Sequence, residues 1–186
     1  MLFRSLSENP FLAGPIPEAF GLMSSMTELS LRNTTLTGEI PATIAENWTL
    51  VKLIDLGSNK LVGPIPQNFG HLSNLEYLLL YENSGINGTI PTGFQNRTAL
   101  KGVLLDRTSI VGTEALQLFC TLPNFMNITG TELLIVDCEQ DECTCEGCRC
   151  CNNAITSNCS LSQLGNMWIT EVNLTDTEEI FVSDGI

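Results

Sequence analysis

The sequence predicts an α/β solenoid, in which short strands stack into a parallel sheet and short helical turns cover the opposite side of the coil. The first observation behind this prediction is a set of glycines that recur at steps of 24 or 25 residues: Gly14, Gly38, Gly63, Gly88 and Gly112. The second is an Ile-Pro pair that follows each of the first four glycines after one intervening residue, and the third is a leucine or isoleucine two residues before every glycine. A fixed period of this length indicates a stack of repeated units rather than one globular domain.

Each repeat contains one short strand in which apolar residues alternate with variable ones. The apolar positions are predicted to face the core, and they are Leu29, Leu31, Ile54, Leu56, Leu78, Leu80, Val103 and Leu105. Successive residues of a strand point to opposite faces of the sheet, so the variable residues should face outward. Because each strand can pair only with the equivalent strand of the next repeat, the sheet should be parallel.

An asparagine is predicted to turn the chain after the strand. Asn9, Asn59 and Asn83 occupy this position, where a side-chain amide can bond the backbone groups that the turn leaves unpaired. Thr34 and Thr108 take the same place in two other repeats. A threonine can make only part of these bonds, so we expect these two turns to be looser.

The Ile-Pro pair is predicted to start a short helical turn on the convex side, because proline is favoured at the first position of a helix. A large apolar residue follows each pair at a constant offset, and these residues are Phe20, Ile44, Phe69 and Phe94. We expect their side chains to stack into a spine within the core rather than to form a binding site.

Together these motifs resemble the plant-type leucine-rich repeat, whose consensus is LxxLxLxxNxLxGxIPxxFGxLxx. The resemblance covers residues 1–119 as about five repeats, of which the first is partial. It implies a right-handed superhelix with a parallel concave sheet and short helical or 3-10 turns on the convex side. It also implies a second short sheet around the Leu-x-Gly segments.

Residues 120–160 form a cysteine-rich segment that resembles the carboxyl-terminal part of diatom leucine-rich repeat proteins. We predict that it caps the repeats through disulfides of unassigned pairing, and the candidates are Cys120, Cys138, Cys143, Cys145, Cys148, Cys150, Cys151 and Cys159. A zinc site based on the spacing of Cys145 and Cys148 is the alternative. Residues 161–186 are predicted to be an acidic tail that is loosely packed or disordered.

The charge and the sequons bear on the compartment and on the class of partner. A net charge of −13 with only eight Lys and Arg argues against nucleic acid and against an anionic membrane surface. Asn-x-Ser/Thr sequons indicate an extracellular or cell-surface protein, and they lie at Asn33, Asn47, Asn87, Asn96, Asn127, Asn158 and Asn173. The chain shows neither a signal peptide nor a membrane span and begins within a repeat, so we expect an amino-terminal truncation.

The sequence does not predict catalysis. His71 is the only histidine, and it falls on the predicted convex side without a nucleophile or an orienting acid at a useful spacing. The glycines serve turns rather than a phosphate-binding loop. We therefore predict no enzymatic activity, no catalytic residues and no cofactor.

Ligand recognition is the predicted function, because a curved repeat array offers an extended concave surface. The candidate ligand-binding residues are the outward strand positions, namely Glu28, Ser30, Arg32, Leu53, Asp55, Tyr77, Leu79, Tyr81, Leu104 and Asp106. Tyr77 and Tyr81 are the expected anchors, since tyrosines often dominate binding surfaces. The predicted partner is a protein, a peptide or a glycan, bound by a receptor-like protein or by a fragment of one.

The alternative is a structural or surface-active extracellular protein, such as a cell-wall component, a hydrolase inhibitor or an ice-binding solenoid. Ice binding would require regular ranks of threonines on a flat face. The threonines of the repeats do not recur at one position throughout the array, as seen for Thr34, Thr35, Thr37 and Thr89.

Overall fold

The computed structural model describes residues 2–111, 133–136 and 148–150, which contain two parallel sheets. The seven-stranded concave sheet has the order β1 (Leu2–Ser5), β3 (Met26–Ser30), β5 (Leu53–Asp55), β7 (Tyr77–Leu79), β9 (Gly102–Leu104), β11 (Leu133–Val136) and β12 (Cys148–Cys150). The five-stranded lateral sheet consists of β2 (Ala13–Pro15), β4 (Thr35–Glu39), β6 (Lys60–Pro64), β8 (Gly85–Gly88) and β10 (Ser109–Ile110). Each repeat contributes one strand to each sheet, which confirms the predicted leucine-rich repeat solenoid.

The inward residues of the concave sheet form a continuous ladder. Leu29, Ile54, Leu78 and Val103 are register partners on four successive strands, and all four are buried. The apolar residue two positions after each of them is also buried. The predicted core positions are therefore confirmed. The nearly constant repeat length places the apolar residue of each repeat beside its equivalent in the next coil.

The concave sheet continues into the predicted cysteine-rich cap. Strand β11 pairs in parallel with β9, so that Leu134 lies opposite Val103, and β12 then pairs in parallel with β11. Two segments between residues 120 and 160 thus extend the sheet that the repeats build.

Asn83 closes the turn after β7 from a fully buried position. Its amide nitrogen donates to the carbonyl oxygens of Leu56, Leu80 and Tyr81 at 3.0, 2.9 and 3.1 Å, respectively. Its Oδ1 accepts a hydrogen bond from the backbone N–H of Leu61 at 3.1 Å. Because Leu56 belongs to the preceding repeat, this one side chain both shapes its own turn and joins two coils.

Asn59 makes the equivalent three amide bonds one repeat earlier. The threonines at this position satisfy fewer backbone groups: Thr34 donates to the carbonyl of Leu31 at 3.2 Å and Thr108 to that of Leu105 at 2.7 Å. A hydroxyl has one proton to donate, whereas the amide has two. This difference supports the expectation that the threonine turns are held by fewer bonds.

The convex side consists of short helical turns, as predicted. They are 3-10 helices at Glu18–Leu22, Gln67–His71 and Thr92–Asn96 and one α-helical turn at Ile44–Asn47. The expected spine is confirmed: Ile44, Phe69 and Phe94 are buried, and Phe20 is partly buried against the same core. His71 ends its helix in an exposed position, as expected.

Trp48 fills the core behind the α-helical turn of the second repeat, which the sequence analysis did not foresee. Its side chain is fully buried, and its indole N–H donates to the carbonyl oxygen of Phe20 at 3.0 Å. The bond satisfies the one polar atom of the ring, so the large side chain is buried without an unpaired donor.

Several sequence predictions lie outside the described residues. These are the disulfide and zinc alternatives for all cysteines except Cys148 and Cys150, whose backbone lies in β12. The sequons at Asn127, Asn158 and Asn173 and the acidic tail at 161–186 lie outside them as well.

Candidate functional site

The face of the concave sheet that points away from the core carries three columns of side chains, and we call this surface the concave face. Register partners form the first two columns, which are Glu28, Leu53, Tyr77 and Gly102, and then Ser30, Asp55, Leu79 and Leu104. The third column follows the strand ends and contains Arg32, Gly57, Tyr81 and Asp106. The structure therefore brings all ten predicted ligand-binding residues together on one face.

These residues face away from the core as predicted, but most of them are buried rather than exposed to solvent. The large side chains of its floor expose only 8–9 % of their surface at Leu53, Tyr77, Leu79 and Tyr81. The remaining floor residues are also buried, and Arg32 alone among the predicted residues is partly exposed. Adjacent strands lie only about 4.8 Å apart, so side chains of this size cover one another. The exposed groups of the concave face instead form charged rims at its two edges.

The strand-start rim runs across three repeats. Lys52 Nζ lies 3.3 Å from Glu76 Oε1, and Lys101 Nζ lies 2.7 Å from Glu76 Oε2. The lysine side chains are 60 % and 42 % exposed, respectively, so a partner in solution can reach both ammonium groups. These charges are 24 and 25 residues apart, and the repeat period would have identified them in the sequence.

The strand-end rim carries two more ion pairs between neighbouring repeats. Arg32 Nη2 lies 3.0 Å from Glu8 Oε1, and Arg107 pairs with Glu82. Ser58 Oγ also donates to Glu82 Oε2 at 2.6 Å. Ion pairs with this degree of exposure each contribute less than about 1 kcal/mol to stability, so these groups remain available to a partner.

Tyr81 lies across the backbone of the preceding repeat at Gly57. A Cβ atom on Gly57 would come within 2.4 Å of the ring atoms Cε1 and Cζ of Tyr81, so only glycine leaves room for the ring. The guanidinium of Arg32, two repeats away, lies near the phenol and partly opposes the burial-driven rise in the pKa of Tyr81. Tyr81 therefore closes the strand-end part of the concave face.

Asp55 lies buried close to Tyr81 and Arg32. Burial raises its pKa to about 6, although its hydrogen bond from the Gly57 N–H at 3.1 Å and the nearby guanidinium act in the opposite direction. Burial and the negative charge of Asp55 in turn raise the pKa of Tyr81. Asp55, Tyr81 and Arg32, together with the backbone N–H of Gly57, therefore form a polar cluster that couples three successive repeats.

Glu28 is the buried acid of the first column. It exposes 5 % of its surface, and its Oε2 atom is buried without a hydrogen-bond partner in the described part of the chain. Burial raises its pKa, the ammonium group of Lys52 opposes this change, and Glu76 reinforces it. A carboxylate oxygen in this position is a strong acceptor whose bonding capacity is not used.

The lateral sheet presents an exposed face of mixed chemistry. Thr37, Val62 and Asn87 directly precede the recurrent glycine on three neighbouring strands, and all three are exposed. In the register of the sheet, Thr37 lies opposite the exposed Lys60 and Val62 lies opposite the exposed Glu39. The same position thus holds a hydroxyl, an isopropyl group and an amide in turn. No regular rank of threonines forms on this sheet within residues 2–111.

The described sequons lie away from the floor of the concave face. Asn33 is exposed in the turn after β3, Asn47 is exposed at the end of the α-helical turn on the convex side, and Asn87 is exposed on the lateral sheet. The backbone of Asn96 ends a convex 3-10 helix. Glycans at Asn47, Asn87 and Asn96 would leave the three columns uncovered, whereas the Asn33 amide donates to Glu8 of the strand-end rim, so a glycan there would border the concave face.

Comparison with known families and structures agrees with this geometry. The leucine-rich repeat family model matches residues 51–72. No curated protein sequence matches the chain. A plant ice-binding protein is similar in structure, with a TM-score of 0.60 and 25% identity over 75% of this chain and 41% of that protein.

Two plant receptor structures are similar as well. The leucine-rich repeat ectodomain of the receptor kinase SOBIR1 from Arabidopsis thaliana has a TM-score of 0.54 and 28% identity, over 58% of this chain and 56% of that one. The plant peptide hormone receptor RGFR1, in complex with RGF2, has a TM-score of 0.55 and 30% identity, over 70% of this chain and 19% of that one. The chain thus spans less than two thirds of the length of each similar structure, and the shared feature is the leucine-rich repeat fold.

In the described part of the chain, no helix has both the length and the apolar character needed to cross a membrane.

Proposed function

We propose that this chain is the recognition module of a secreted or cell-surface leucine-rich repeat protein, either receptor-like or part of a receptor, and that its concave face binds a protein or peptide. The observation that carries this proposal is the construction of that face. An apolar and aromatic floor lies between two rims of exposed charges, and each rim spans several repeats. An extended chain laid across the strands could contact several repeats at once.

The rims determine which partner fits. Lys52 and Lys101 both share the carboxylate of Glu76, so this rim offers two exposed cations and one acid in alternation. A partner with its own alternating charges can replace these weak internal pairs with intermolecular ones. Complementary charges of this kind fix orientation and speed association more than they add affinity.

The positions of the sequons support the same face. Three of the four described sequons occupy the convex side and the lateral sheet, so glycans there would cover other surfaces, while a glycan at Asn33 would border the strand-end rim and restrict which partners fit. An extracellular setting with glycans and disulfides is part of the proposal. Similarity to the SOBIR1 ectodomain supports the setting, and similarity to the peptide hormone receptor RGFR1 supports a protein or peptide ligand. A glycan ligand on the same face belongs to the proposal as a less favoured partner class.

The proposal is tested by capture of secreted proteins and peptides on immobilised chain. The chain offers a matched pair of charge reversals, because Lys52 and Lys60 are both exposed but lie on the concave face and on the lateral sheet, respectively. We expect Lys52→Glu to weaken capture of a specific partner at least about tenfold and Lys60→Glu to leave it unchanged. Equal loss in both variants, or loss only with Lys60→Glu, would exclude the concave face.

Ice binding is a second candidate, because a plant ice-binding protein is similar in structure. The lateral sheet gives it little support, since its equivalent outward positions hold Thr37, Val62 and Asn87 and charged side chains lie beside them. A thermal-hysteresis measurement separates the candidates: we expect no hysteresis, and a clear effect that Thr37→Arg removes would favour the ice-binding function. Capture of a wall-degrading enzyme in the preceding experiment would instead indicate a hydrolase inhibitor.

A further inference from the structure

The carboxylate of Glu28 has an unused acceptor at the start of the concave face. Only 5 % of the surface of Glu28 is exposed, and its Oε2 atom has no hydrogen-bond partner in the described part of the chain. A buried polar atom without a partner forfeits the bonds that it makes with water in the unfolded chain. Such an atom therefore gains strongly from any donor that a ligand supplies.

The cation nearest to Glu28 bonds elsewhere. Lys52 comes directly before Leu53, the register partner of Glu28, and its charge lowers the pKa of that carboxyl group. The ammonium group nevertheless pairs with Glu76 at 3.3 Å, and the described residues show no ion pair between Lys52 and Glu28. Glu76 is already paired with Lys101 at 2.7 Å, so this end of the rim holds two carboxylates within electrostatic reach of one another.

The neighbours of Glu28 in the first column are apolar and aromatic. Leu53 and Tyr77 follow Glu28 in register on the next two strands. A carboxylate beside a leucine and a tyrosine matches the two halves of a long basic side chain. Its methylene stem can pack on the apolar surface, while its charged end meets the carboxylate and the tyrosine ring attracts cations.

We infer that Glu28, Leu53 and Tyr77 form a subsite for a lysine or arginine side chain of a peptide ligand. The inference rests on the proposed function and deepens it, because it names the chemistry that the concave face recognises. The incoming cation donates to Glu28 Oε2 and lies between the carboxylates of Glu28 and Glu76. Lys52, with its exposed side chain, moves aside along the rim, where an acidic group of the same ligand can pair with it.

The subsite is tested with two small probes of equal stem length. Nα-acetyl-L-lysine amide carries a side-chain ammonium group, whereas Nα-acetyl-L-norleucine amide has the same four-carbon stem without charge. Each probe is titrated into chain labelled with ¹³C at the glutamate side chains, and the Glu28 carboxyl resonance is identified by its absence from Glu28→Gln. The matched control is Glu46→Gln, since Glu46 is exposed on the convex side.

We expect the lysine probe to give a saturable shift of the Glu28 resonance in the unmodified chain. Its affinity, measured for every form by isothermal titration calorimetry, should fall roughly tenfold or more in Glu28→Gln. Glu46→Gln should leave that affinity unchanged, and the norleucine probe should bind weakly and equally to both forms. Glutamine has nearly the same shape as glutamate, and circular dichroism confirms that the variant folds. Equal binding of both probes, equal binding to Glu28→Gln, or no saturable shift at Glu28 would each overturn the subsite.

The outcome is independent of the capture experiment. If the probe binds at Glu28 but Lys52→Glu does not weaken capture of the partner, the proposed function is overturned and the cation subsite is retained. Capture that depends on Lys52, without probe binding at Glu28, would overturn only the subsite.

Discussion

Replacing Asn83 by alanine should be among the most destabilising single substitutions in the repeats. The amide of Asn83 holds the carbonyl oxygens of Leu56, Leu80 and Tyr81, and its Oδ1 accepts from the Leu61 N–H. The side chain is fully buried, so water cannot replace any of these bonds without opening the core. Alanine therefore removes one accepted bond and the two amide protons that three carbonyl oxygens share, and it leaves the backbone groups of two repeats without this partner.

The expected cost follows from the two donated protons and the one accepted bond, which together equal about three hydrogen bonds. A buried hydrogen bond contributes about 1 kcal/mol net to stability, so we expect Asn83→Ala to lower the free energy of unfolding by about 3 kcal/mol. Asn83→Thr should cost less, by about 1 kcal/mol, because Thr108 occupies the equivalent turn and donates to Leu105. The structure thus predicts a graded order in which asparagine is most stabilising, threonine is intermediate and alanine is least stabilising.

Urea unfolding followed by circular dichroism measures these differences. Asn74→Ala is the matched control, because Asn74 is exposed and makes a single bond to the carbonyl of Thr49 at 2.6 Å. It should cost less than about 1 kcal/mol. If Asn83→Ala costs no more than Asn74→Ala, the buried asparagine is not what joins the coils, and the reasoning is refuted.

Three further substitutions test other parts of the structure by the same unfolding measurement. Gly57→Ala should lower the free energy of unfolding by about 1–3 kcal/mol because its Cβ would meet the Tyr81 ring. In a Tyr81→Ala background the same substitution should cost much less, and equal costs in both backgrounds would contradict the packing of the ring on Gly57. Asp55→Asn should stabilise the chain above about pH 6 but not below about pH 4. The pKa of Asp55 is raised to about 6 in the folded state. The protonated carboxyl group therefore contributes to the free energy of unfolding below about pH 4, and this contribution, at most about 3 kcal/mol, is lost as the pH rises to about 6. A difference between the two proteins that does not depend on pH would contradict this assignment. Gly70→Ala should cost more than about 1 kcal/mol because its Cβ would lie 2.5 Å from the Gly93 Cα atom, and an unchanged midpoint would show that the convex turns can separate freely.

The sequence predicts the core of this fold well because the core depends on one period. Leu29, Ile54, Leu78 and Val103 lie in register since the repeats have nearly equal length, and no other information is needed to place them. Asn83 is predictable for the same reason. Its distinctive polar side chain recurs at a turn whose backbone groups need partners.

The concave face could be located from the sequence, but its exposure and contacts could not. Whether Tyr81 is exposed depends on the side chain one repeat earlier, and that residue is Gly57, which gives the ring space to lie flat. Alternation along a strand assigns a side of the sheet but does not describe neighbours across strands. The raised pKa of Asp55 likewise arises from burial among residues of adjacent repeats, which no single repeat reveals.

The strand-start rim was missed although it follows the repeat period. Lys52, Glu76 and Lys101 directly precede the first residues of β5, β7 and β9, so the alternation along the strands did not include them among the outward positions. Long charged side chains reach across from the edge of a sheet, so a residue outside the regular strand can still form its functional border.

Lysine footprinting of the chain bound to its captured partner tests the central claim most directly. The sequence has three lysines, of which Lys52 and Lys101 lie on the strand-start rim of the concave face and Lys60 lies on the lateral sheet. The account predicts that the partner protects Lys52 and Lys101 from acetylation, as measured by mass spectrometry, while Lys60 reacts as it does in the free chain. Protection of Lys60 with continued reaction of Lys52 and Lys101 would place the partner on the lateral sheet and contradict recognition by the concave face.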